Sequence, residues 1–570
     1  MYASQKNIQI IISLLKQYGV RYLVLSPGTR NSALVHSVET DPDFVCFSIV
    51  DERSAAYFAL GLCESSGEPV GFSCTSSTAA CNYLPAIEEA AKKKLPLIAL
   101  TGDREWYKLY QMEDQMIDQN YMYGKYCCHY CLLPKGVNSD EEWYCIRKVN
   151  EALHSVENGP VQINFQVSDI TFTVKELPKF RKITRQDNPN WEDVKSRLGQ
   201  YNRILVICGQ RYPQSIDLSN LLADFSDKYG AVIATDYFSN VNSEKFMRTV
   251  LVTEAMSMTP HDFDKYCPDL VISIGKHFWS FIKYSLRANN TKFNHWRVSE
   301  DGAFMDGFRS LTDVFPIKAE KFFTEVNDTN NIASEEYRTL WKKKLDNVRY
   351  PQMKFSNFSI IRDIVNAIPG ESLVHTTILN ATRLPNYQKM DESVTAYSNL
   401  GADGIDGCLS TWLGECHDYD NNKKSFLITG DLSLIYDMSS LLNHLNKNQR
   451  ILAINNYAGG EFHILFSRLS VPELDWHIAA GHHTLMKDVA SINPNIEYIC
   501  AKTQEELDAA IPRFMDDSDK PILLEVITDA DTDAYMLKIF YALNQSWKFR
   551  MKGVLKQKIK SVLVNLKKRK

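Results

Sequence analysis

The sequence has no apolar run close to the roughly 20 residues that a membrane-spanning helix requires, which argues against an integral membrane protein. The short apolar stretch 8–15 has no basic lead-in and no small-residue cleavage site, so it predicts an amphipathic first helix and not an export signal. Low-complexity segments and short-period repeats are also lacking. We therefore expect a cytoplasmic globular protein.

The composition is that of a large globular chain. With 570 residues, of which 44% are apolar and 23% charged, the chain is too long for one hydrophobic core and predicts several domains. Its 13 cysteines are spread through the chain. This distribution favours reduced thiols packed as small apolar groups over a disulfide framework.

The charge is unevenly distributed. The net charge is −5, yet residues 548–570 contain ten basic residues and no acidic ones. Leu555, Ile559, Val562 and Leu566 recur at helical spacing, so 546–570 predicts a basic amphipathic tail that can contact an anionic membrane surface. A solvated or disordered tail is equally compatible with this pattern. Nucleic acid is not expected as a partner, because the rest of the chain is acidic.

Short β-type runs alternate with helix-like segments three times along the chain. This order predicts three α/β domains with doubly wound parallel sheets, at 1–180, 190–345 and 355–540, with a polar linker at 175–190. The predicted strands are 22–25, 45–50, 70–74, 97–101, 204–208, 231–234, 270–274, 372–375, 395–398, 425–429, 451–454 and 522–526.

Polar residues follow two successive strands of the third domain. Gly430-Asp431 ends the first strand and Asn455-Asn456 ends the second, so both pairs are expected at the carboxyl edge of the sheet, where α/β folds bind ligands. A carboxylate, an amide carbonyl and a main-chain carbonyl such as that of Ala458 would form half of an octahedral Mg²⁺ shell and leave room for phosphate oxygens. A helix cap at Asp431 and a turn at the asparagines is the alternative.

A carboxylate also follows a strand of the first domain. Strand 45–50 leads into Asp51-Glu52-Arg53 at the start of a helix, which places Glu52 at the ligand edge of that sheet. A carboxylate in a mostly apolar site is suited to sharing a proton with a bound ring. Such a sequence is also common as a plain helix cap.

Taken together, these motifs resemble one family of enzymes. The segment 430–437 followed by Asn455-Asn456 is similar to the motif with which thiamine-diphosphate enzymes bind magnesium and diphosphate. Segments 26–32, 50–55, 78–86 and 100–104, and Ser398-Asn399 with 404–407, fall in the order and spacing of one subfamily. This subfamily is the menaquinone-pathway synthases that make 2-succinyl-5-enolpyruvyl-6-hydroxy-3-cyclohexene-1-carboxylate.

The resemblance implies a fold, cofactors and partners. The three domains would be pyrimidine-binding, central and diphosphate-binding, and the cofactors thiamine diphosphate with Mg²⁺, or Mn²⁺ in its place. A homodimer, or a dimer of dimers, would bring the Glu52 domain of one copy to the magnesium domain of another. The implied catalytic residue is Glu52. The implied cofactor residues are Glu52, Ile405, Gly430, Asp431, Leu432, Ser433 and Asn456, and the implied metal ligands are Asp431, Asn456 and Ala458.

The resemblance also implies a reaction. A 2-oxo acid, 2-oxoglutarate, would lose carbon dioxide, and the remaining fragment would add to isochorismate. Arginines would receive the substrate carboxylates, since a guanidinium can bind a carboxylate through two hydrogen bonds. The implied substrate residues are Thr29, Arg30, Arg104, Gln115, Asn380 and Arg383, the last two with shorter spacing than in the family.

The substrate side departs from the family pattern. Leu400 stands where the family has arginine, Asp114 where it has asparagine and Ser77 where it has glycine. In segment 275–283 only Lys276 or Lys283 could replace a missing cation. A sister decarboxylase or carboligase with another acceptor is therefore a second hypothesis, and a non-catalytic scaffold a third.

Three other features are weaker candidates. Cys127-Cys128-His129-Tyr130-Cys131 has metal-ligand spacing but no second pair. Strand 204–208 is followed by no Gly-x-Gly-x-x-Gly loop, so we expect the central domain to hold no nucleotide. His463 follows the magnesium motif, and a packed or solvated histidine is favoured over a substrate contact.

Overall fold

In the computed structural model, residues 1–545 are described except 169, 212–214, 258–261, 330–332, 418, 420–421, 444 and 466–473. The predicted tail 546–570 lies outside the described residues. The chain forms two compact units, one of Met1–Asp187 with Gly302–Val314, the other of Asn188–Asp301 with Phe315–Lys570.

The smaller unit contains a six-stranded parallel sheet. The strands described in residues 1–187 are β1 (Tyr2–Ala3), β2 (Tyr22–Leu25), β3 (Val45–Ser48), β4 (Val70–Cys74), β5 (Leu97–Asp103), β6 (His129–Leu133), β7 (Val161–Gln166), β8 (Phe172–Val174) and β9 (Thr184–Arg185). The sheet order is β3-β2-β4-β5-β7-β6, and every neighbouring pair is parallel. β1 and β8 form a separate antiparallel pair. Strands buried on both faces explain the near-continuous apolar runs in this part of the sequence.

Helices cover both faces of this sheet. They are α1 (Lys6–Gln17), α2 (Ser32–Glu39), α3 (Glu52–Ser66), α4 (Thr78–Cys81), α5 (Leu84–Lys93) and α6 (Ser139–Ser155). Helix α3 begins at Glu52 because the Asp51 side chain accepts the Ser54 N–H at 2.8 Å. It ends at Gly67, whose φ of +70° favours glycine.

The larger unit begins with a parallel sheet in the order β11-β10-β12-β13. The strands of this part of the chain are β10 (Ile204–Cys208), β11 (Val232–Thr235), β12 (Leu270–Ile274), β13 (Asn294–Val298) and β14 (Leu311–Phe315). Residues 311–314 of β14 belong to the smaller unit, where β14 pairs in parallel with β9 through Asp313↔Thr184 and Val314↔Arg185. The helices are α7 (Trp191–Leu198), α8 (Ile216–Tyr229), α9 (Val250–Ser257), α10 (Ile282–Ala288), α11 (Ala319–Asn327) and α12 (Glu336–Leu345).

The same unit contains a third parallel sheet. Its strands are β15 (Leu373–Thr376), β16 (Thr395–Ser398), β17 (Ser425–Gly430), β18 (Gln449–Asn455), β19 (Glu497–Ala501) and β20 (Ile522–Ile527). The order is β16-β15-β17-β18-β20-β19, all parallel. The helices are α13 (Asn357–Ala367), α14 (Asn380–Arg383), α15 (Cys408–Glu415), α16 (Asp431–Tyr436), α17 (Gly460–Leu465), α18 (Met486–Ala490), α19 (Gln504–Met515) and α20 (Ala530–Asn544).

The predicted fold class, α/β with three doubly wound parallel sheets, is confirmed. Each predicted strand is present, and its bounds differ from the prediction by one or two residues at most. Within the described part of the chain, no helix is both long enough and apolar enough to cross a membrane.

Candidate active site

Asp431 and Asn456 lie side by side at the carboxyl edge of the third sheet. β17 and β18 are neighbours in register, Gly430 opposite Ile454, so the residues that follow them meet at one edge. The Asn456 N–H donates to Asp431 Oδ2 at 3.1 Å, and the Leu432 N–H donates to Asp431 Oδ1 at 2.7 Å. Asp431 is therefore a buried carboxylate held in one orientation by main-chain donors.

The side chain of Asn456 is oriented by Asp533. Asn456 Nδ2 donates to Asp533 Oδ2 at 3.2 Å, and its Oδ1 accepts the Ala458 N–H at 3.3 Å. Burial raises the pKa of Asp533 to about 6. This arrangement distinguishes the amide nitrogen from the amide oxygen, so Asn456 presents a defined oxygen donor.

The side chain of Asn455 is buried and hydrogen-bonded to neighbouring segments of the larger unit. It is fully buried, its Nδ2 donates to Glu525 Oε1 at 2.7 Å and to Thr484 O at 3.0 Å, and its Oδ1 accepts the Tyr457 N–H at 3.0 Å. Asn456, whose amide group makes comparable contacts, is the less buried of the two asparagines, and its choice as the metal ligand stays a prediction.

The oxygen donors at this edge fit a hard divalent cation. One carboxylate, one amide oxygen and the main chain around Ala458 are the ligand types that Mg²⁺ prefers, and one carboxylate leaves coordination positions for a phosphate ligand. Among the described residues no group of three or more His, Cys, Asp or Glu side chains could bind a metal by itself.

Ile405 lies on a turn that is fastened to the same edge. Ser433, in the first turn of α16, donates through Oγ to the main-chain oxygen of Ile405 at 2.5 Å. The turn passes through Gly407, whose φ is +69°. The half-buried Ile405 is thus held beside the residues predicted to bind diphosphate.

Arg383 lies in α14 and is held by carboxylates. It is 4% exposed and donates to Glu461 Oε2 through Nη1 at 2.7 Å and to Glu461 Oε1 through Nη2 at 3.0 Å. Its Nε is 3.6 Å from Glu254 Oε1, and its Cζ lies 5.4 Å from the centroid of the Trp279 ring. These contacts surround the guanidinium with protein groups.

Asn380 lies between Arg383 and the magnesium motif. Arg383 Nη1 donates to Asn380 Oδ1. A Cβ atom added to Gly460 would lie 3.9 Å from Asn380 Nδ2 and 2.7 Å from Asn456 Nδ2, so the two asparagines share a neighbour that must be small. The geometry favours Asn380 as the group nearer a ligand, with Arg383 behind it. The substrate roles of both residues stay predictions.

In the smaller unit, Glu52 stands at the carboxyl edge of its sheet, in the first turn of α3. It is partly exposed, and the neighbouring Ala55 and Ala56 are buried. Burial, supported by the negative charge of Glu52, raises the pKa of the Cys74 thiol at the end of β4. Glu52 therefore lies close to the carboxyl end of a second strand of the sheet.

The other predicted residues of this unit follow β2, β4 and β5. The loop with Thr29 and Arg30 packs on the end of β5, since a Cβ atom at Gly102 would lie 2.5 Å from the main-chain oxygen of Arg30. Arg104 follows β5, and its Nη1 lies 3.2 Å from Glu113 Oε2. Gln115 accepts the Ser76 hydroxyl, after β4, through its main-chain oxygen at 3.0 Å. One sheet edge thus contains all of these residues, and their roles stay predictions.

The departures from the family pattern have different surroundings. Leu400 is buried against Phe238 and Ala396. Ser77 adopts a φ of +76°, a glycine-like conformation, and its N–H donates to Gln119 Oε1 at 2.7 Å. Asp114 is exposed. Leucine in place of arginine therefore leaves an apolar contact where the family has a cation.

The remaining candidates have structural partners. Lys276 and Lys283 are exposed, and Lys276 Nζ lies 3.9 Å from Asp301 Oδ2. His463 Nδ1 lies 2.9 Å from Asp531 Oδ1. Burial raises the pKa of the Cys127 thiol to about 12, which is unfavourable for a thiolate ligand.

The sequence interpretation missed His482, Asp533, Glu254 and Glu461. Each of them contacts a predicted site residue that is distant along the chain. No local pattern distinguishes them from other polar residues.

Asp103, which directly precedes Arg104, predicts a pH dependence of stability. Burial raises its pKa to about 6, against the lowering effect of a hydrogen bond from Asn164 at 2.7 Å. The folded state therefore retains a proton that the unfolded state has released, so this contribution to stability is present below about pH 4 and is lost as the pH rises through about 6. Urea unfolding across pH 4–7 is expected to show a downward slope of stability with pH that is steeper in the wild type than in Asp103→Asn, by up to about 1.4 kcal/mol per pH unit. Equal slopes would contradict this assignment.

The comparisons with known proteins agree with this geometry. Residues 6–122 match the family described as thiamine pyrophosphate enzyme, N-terminal TPP binding domain. The three parallel sheets and the Asp431–Asn456 edge, with this match, define a thiamine-diphosphate enzyme, whose cofactors are thiamine diphosphate and a divalent metal ion.

Proteins that are similar to nearly the whole chain identify the family within the thiamine-diphosphate enzymes. The chain is 32% identical over 560 residues to 2-succinyl-5-enolpyruvyl-6-hydroxy-3-cyclohexene-1-carboxylate synthase of Phocaeicola vulgatus, covering 95% of this chain and 99% of that one. It is 32% identical over 562 residues to the synthase of Bacteroides fragilis, with the same coverage, and 28% over 554 residues to that of Flavobacterium johnsoniae, covering 94% and 98%. The chain belongs to the 2-succinyl-5-enolpyruvyl-6-hydroxy-3-cyclohexene-1-carboxylate synthase family.

Proposed function

We propose that the protein decarboxylates 2-oxoglutarate and transfers the remaining fragment to isochorismate, as the names of its relatives and the family resemblance imply. The observation that carries the proposal is 32% identity over 95% of the chain to synthases of this name. The carboxyl edge of the third sheet also supports the proposal, because the predicted metal ligands Asp431, Asn456 and Ala458 lie together there.

The chain's own residues have distinct roles in this proposal. Asp431, Asn456 and the Ala458 carbonyl would hold Mg²⁺, and Gly430, Leu432 and Ser433 the diphosphate. Ile405 would support the cofactor from the turn that Ser433 fastens. When bound, thiamine diphosphate supplies the carbon nucleophile and electron sink for loss of carbon dioxide. Glu52 would hold the proton shared with the pyrimidine ring.

On the substrate side, two cations lie at one sheet edge. Arg30 and Arg104 follow β2 and β5, with Thr29 beside them, and both arginines are only partly buried. Guanidinium groups in this setting are suited to the carboxylates of a 2-oxo diacid and of an acidic acceptor. Gln115 would add a neutral polar contact from the loop after β5, which Ser76 contacts from the end of β4.

We propose that two copies of the chain complete the active site, as a homodimer or a dimer of dimers. The exposed apolar residues around Glu52 support this proposal. Val50 is 77% exposed, Tyr57 44% and Phe58 42%, and a second copy would cover them.

The three-domain division at 1–180, 190–345 and 355–540 is part of the same proposal, since each range contains one parallel sheet. From its sequence alone, the tail 546–570 is proposed to contact anionic membrane surfaces, and the protein to be cytoplasmic.

The test is an assay of carbon dioxide release by the full-length protein with thiamine diphosphate, Mg²⁺ and 2-oxoglutarate, with and without isochorismate. We expect release that rises with isochorismate, together with the succinyl adduct identified by mass spectrometry. Release that does not depend on isochorismate would point to another acceptor, consistent with Leu400 and Asp114. Absence of release from a panel of 2-oxo acids would contradict the proposed reaction.

A further inference from the structure

His482 lies against the carboxylate that is predicted to bind the metal. Its Nε2 is 3.2 Å from Asp431 Oδ2, and the two side chains are only 14% and 5% exposed. Asp431 and His482 are far apart in sequence, and neither the metal motif nor the substrate segments include this histidine. A buried imidazole in contact with a buried carboxylate requires a physical account.

The main chain determines the tautomer of this imidazole. His482 Nδ1 lies 3.1 Å from the N–H of Thr484, a group that can only donate, so Nδ1 is the acceptor. The ring proton of the neutral imidazole is consequently on Nε2, which lies 3.2 Å from Asp431 Oδ2 and has no hydrogen-bond partner among the described residues.

The segment that contains His482 is hydrogen-bonded to residues at the end of β18. The His482 N–H donates to the main-chain oxygen of Tyr457 at 3.0 Å, and the main-chain oxygen of Thr484 accepts Asn455 Nδ2 at 3.0 Å. The rings of Tyr457 and His482 are 5.8 Å apart. The imidazole is thus positioned by the same residues that follow the magnesium strand.

We propose that His482 is a positioning residue for the metal site: when the site is loaded, its Nε2–H donates to Asp431 Oδ2, 3.2 Å away in this structure, and holds the carboxylate in the orientation that binds Mg²⁺ together with the cofactor diphosphate. The inference rests on the proposed function of Asp431. Two main-chain donors already contact this carboxylate, Leu432 at Oδ1 and Asn456 at Oδ2. His482 adds a side-chain donor, and outer partners of this kind typically affect metal affinity by about 10- to 100-fold.

The test is the apparent Kd for Mg²⁺ in the presence of thiamine diphosphate, measured by tryptophan fluorescence or calorimetry on the full-length protein. His482→Leu is expected to weaken Mg²⁺ binding by about 10- to 100-fold. His482→Gln, whose amide N–H can occupy the place of Nε2–H, is expected to restore most of that loss. His483→Gln is the matched control, because the adjacent His483 is exposed and its ring lies edge-to-face with that of Trp476, with centroids 5.5 Å apart. This control is expected to bind Mg²⁺ like the wild type.

The outcomes separate this inference from the proposed metal site. If Asp431→Asn abolishes Mg²⁺-dependent cofactor binding while His482→Leu binds as tightly as the wild type, the positioning role is overturned and the metal site stands. If Asp431→Asn retains the wild-type Mg²⁺ affinity, the metal site itself is overturned, and the role of His482 with it. If His482→Leu weakens Mg²⁺ binding and His482→Gln weakens it equally, the proposal is also overturned. A hydrogen-bond donor at this position would then not explain the effect on Mg²⁺ affinity.

Discussion

Replacing Glu52 by glutamine is expected to lower the rate of carbon dioxide release by about 10²- to 10⁴-fold, the usual contribution of a positioned acid–base group. The substitution keeps the size of the side chain but removes its ability to take and return a proton. Since Glu52 lies in the first turn of α3 and is partly exposed, the fold should tolerate glutamine there. The measurement is the single-turnover rate at saturating cofactor, with bound thiamine diphosphate quantified in parallel.

Asp51→Asn is the matched control for this prediction. Asp51 is the neighbouring carboxylate and caps α3 by accepting the Ser54 N–H. Asparagine caps helices about as well as aspartate, so this variant should keep both its stability and the wild-type rate. Equal losses in Asp51→Asn and Glu52→Gln would indicate a local structural effect. A fully active Glu52→Gln variant would remove Glu52 from the catalytic role.

Replacing Arg383 by methionine is expected to lower the free energy of unfolding by about 3–5 kcal/mol, the usual cost of removing one partner from a buried ion pair. The change would leave Glu461 without its two charge-assisted hydrogen bonds and Glu254 without its nearby cation. Burial already raises the pKa of Glu254 to about 7, with Arg383 acting in the opposite direction. Denaturant unfolding at pH 8, where the Glu254 carboxyl is ionised, is the measurement.

Arg513→Met is the control for this effect. Arg513 forms an ion pair with Glu497, but its side chain is 43% exposed, so the change should cost about 1 kcal/mol or less. Adding Glu254→Gln to Arg383→Met should recover part of the loss, because it removes one of the two carboxylates whose charge Arg383 offsets. A stable Arg383→Met protein with a raised KM for the 2-oxo acid would instead support the substrate role implied by the family resemblance.

Much of the fold and one half of the candidate site could be predicted because they depend on local pattern. Apolar runs such as 425–429 and 451–454 form strands buried on both faces, and crossover helices keep consecutive strands parallel. The residue after such a strand must lie at the carboxyl edge. Glu52, Asp431 and Asn456 were therefore placed correctly at sheet edges from the sequence, although their chemical roles stay predictions.

The different surroundings of Asn455 and Asn456 depend on tertiary contacts, and which of them binds the metal stays a prediction. Both residues follow the same strand, and the sequence treats them alike. In the structure Asn455 is fully buried against Glu525 and Thr484, whereas Asn456 is oriented by Asp533. The hydrogen-bond partners of these two asparagines come from β20, α20 and the chain before α18. No residue pattern near position 455 predicts them.

The sequence by itself determined the order of strands and helices, the sheet edges and the cofactor motif, since these follow from hydrophobic periodicity and from turn residues a few positions apart. Only the tertiary structure decided that Arg383 is enclosed by Glu254, Glu461 and Trp279, and that His482 rather than His483 reaches Asp431. The physical reason is that the environment of a buried charge is set by groups from distant chain segments, whose approach depends on how the sheets and helices pack and leaves no local signature in the sequence.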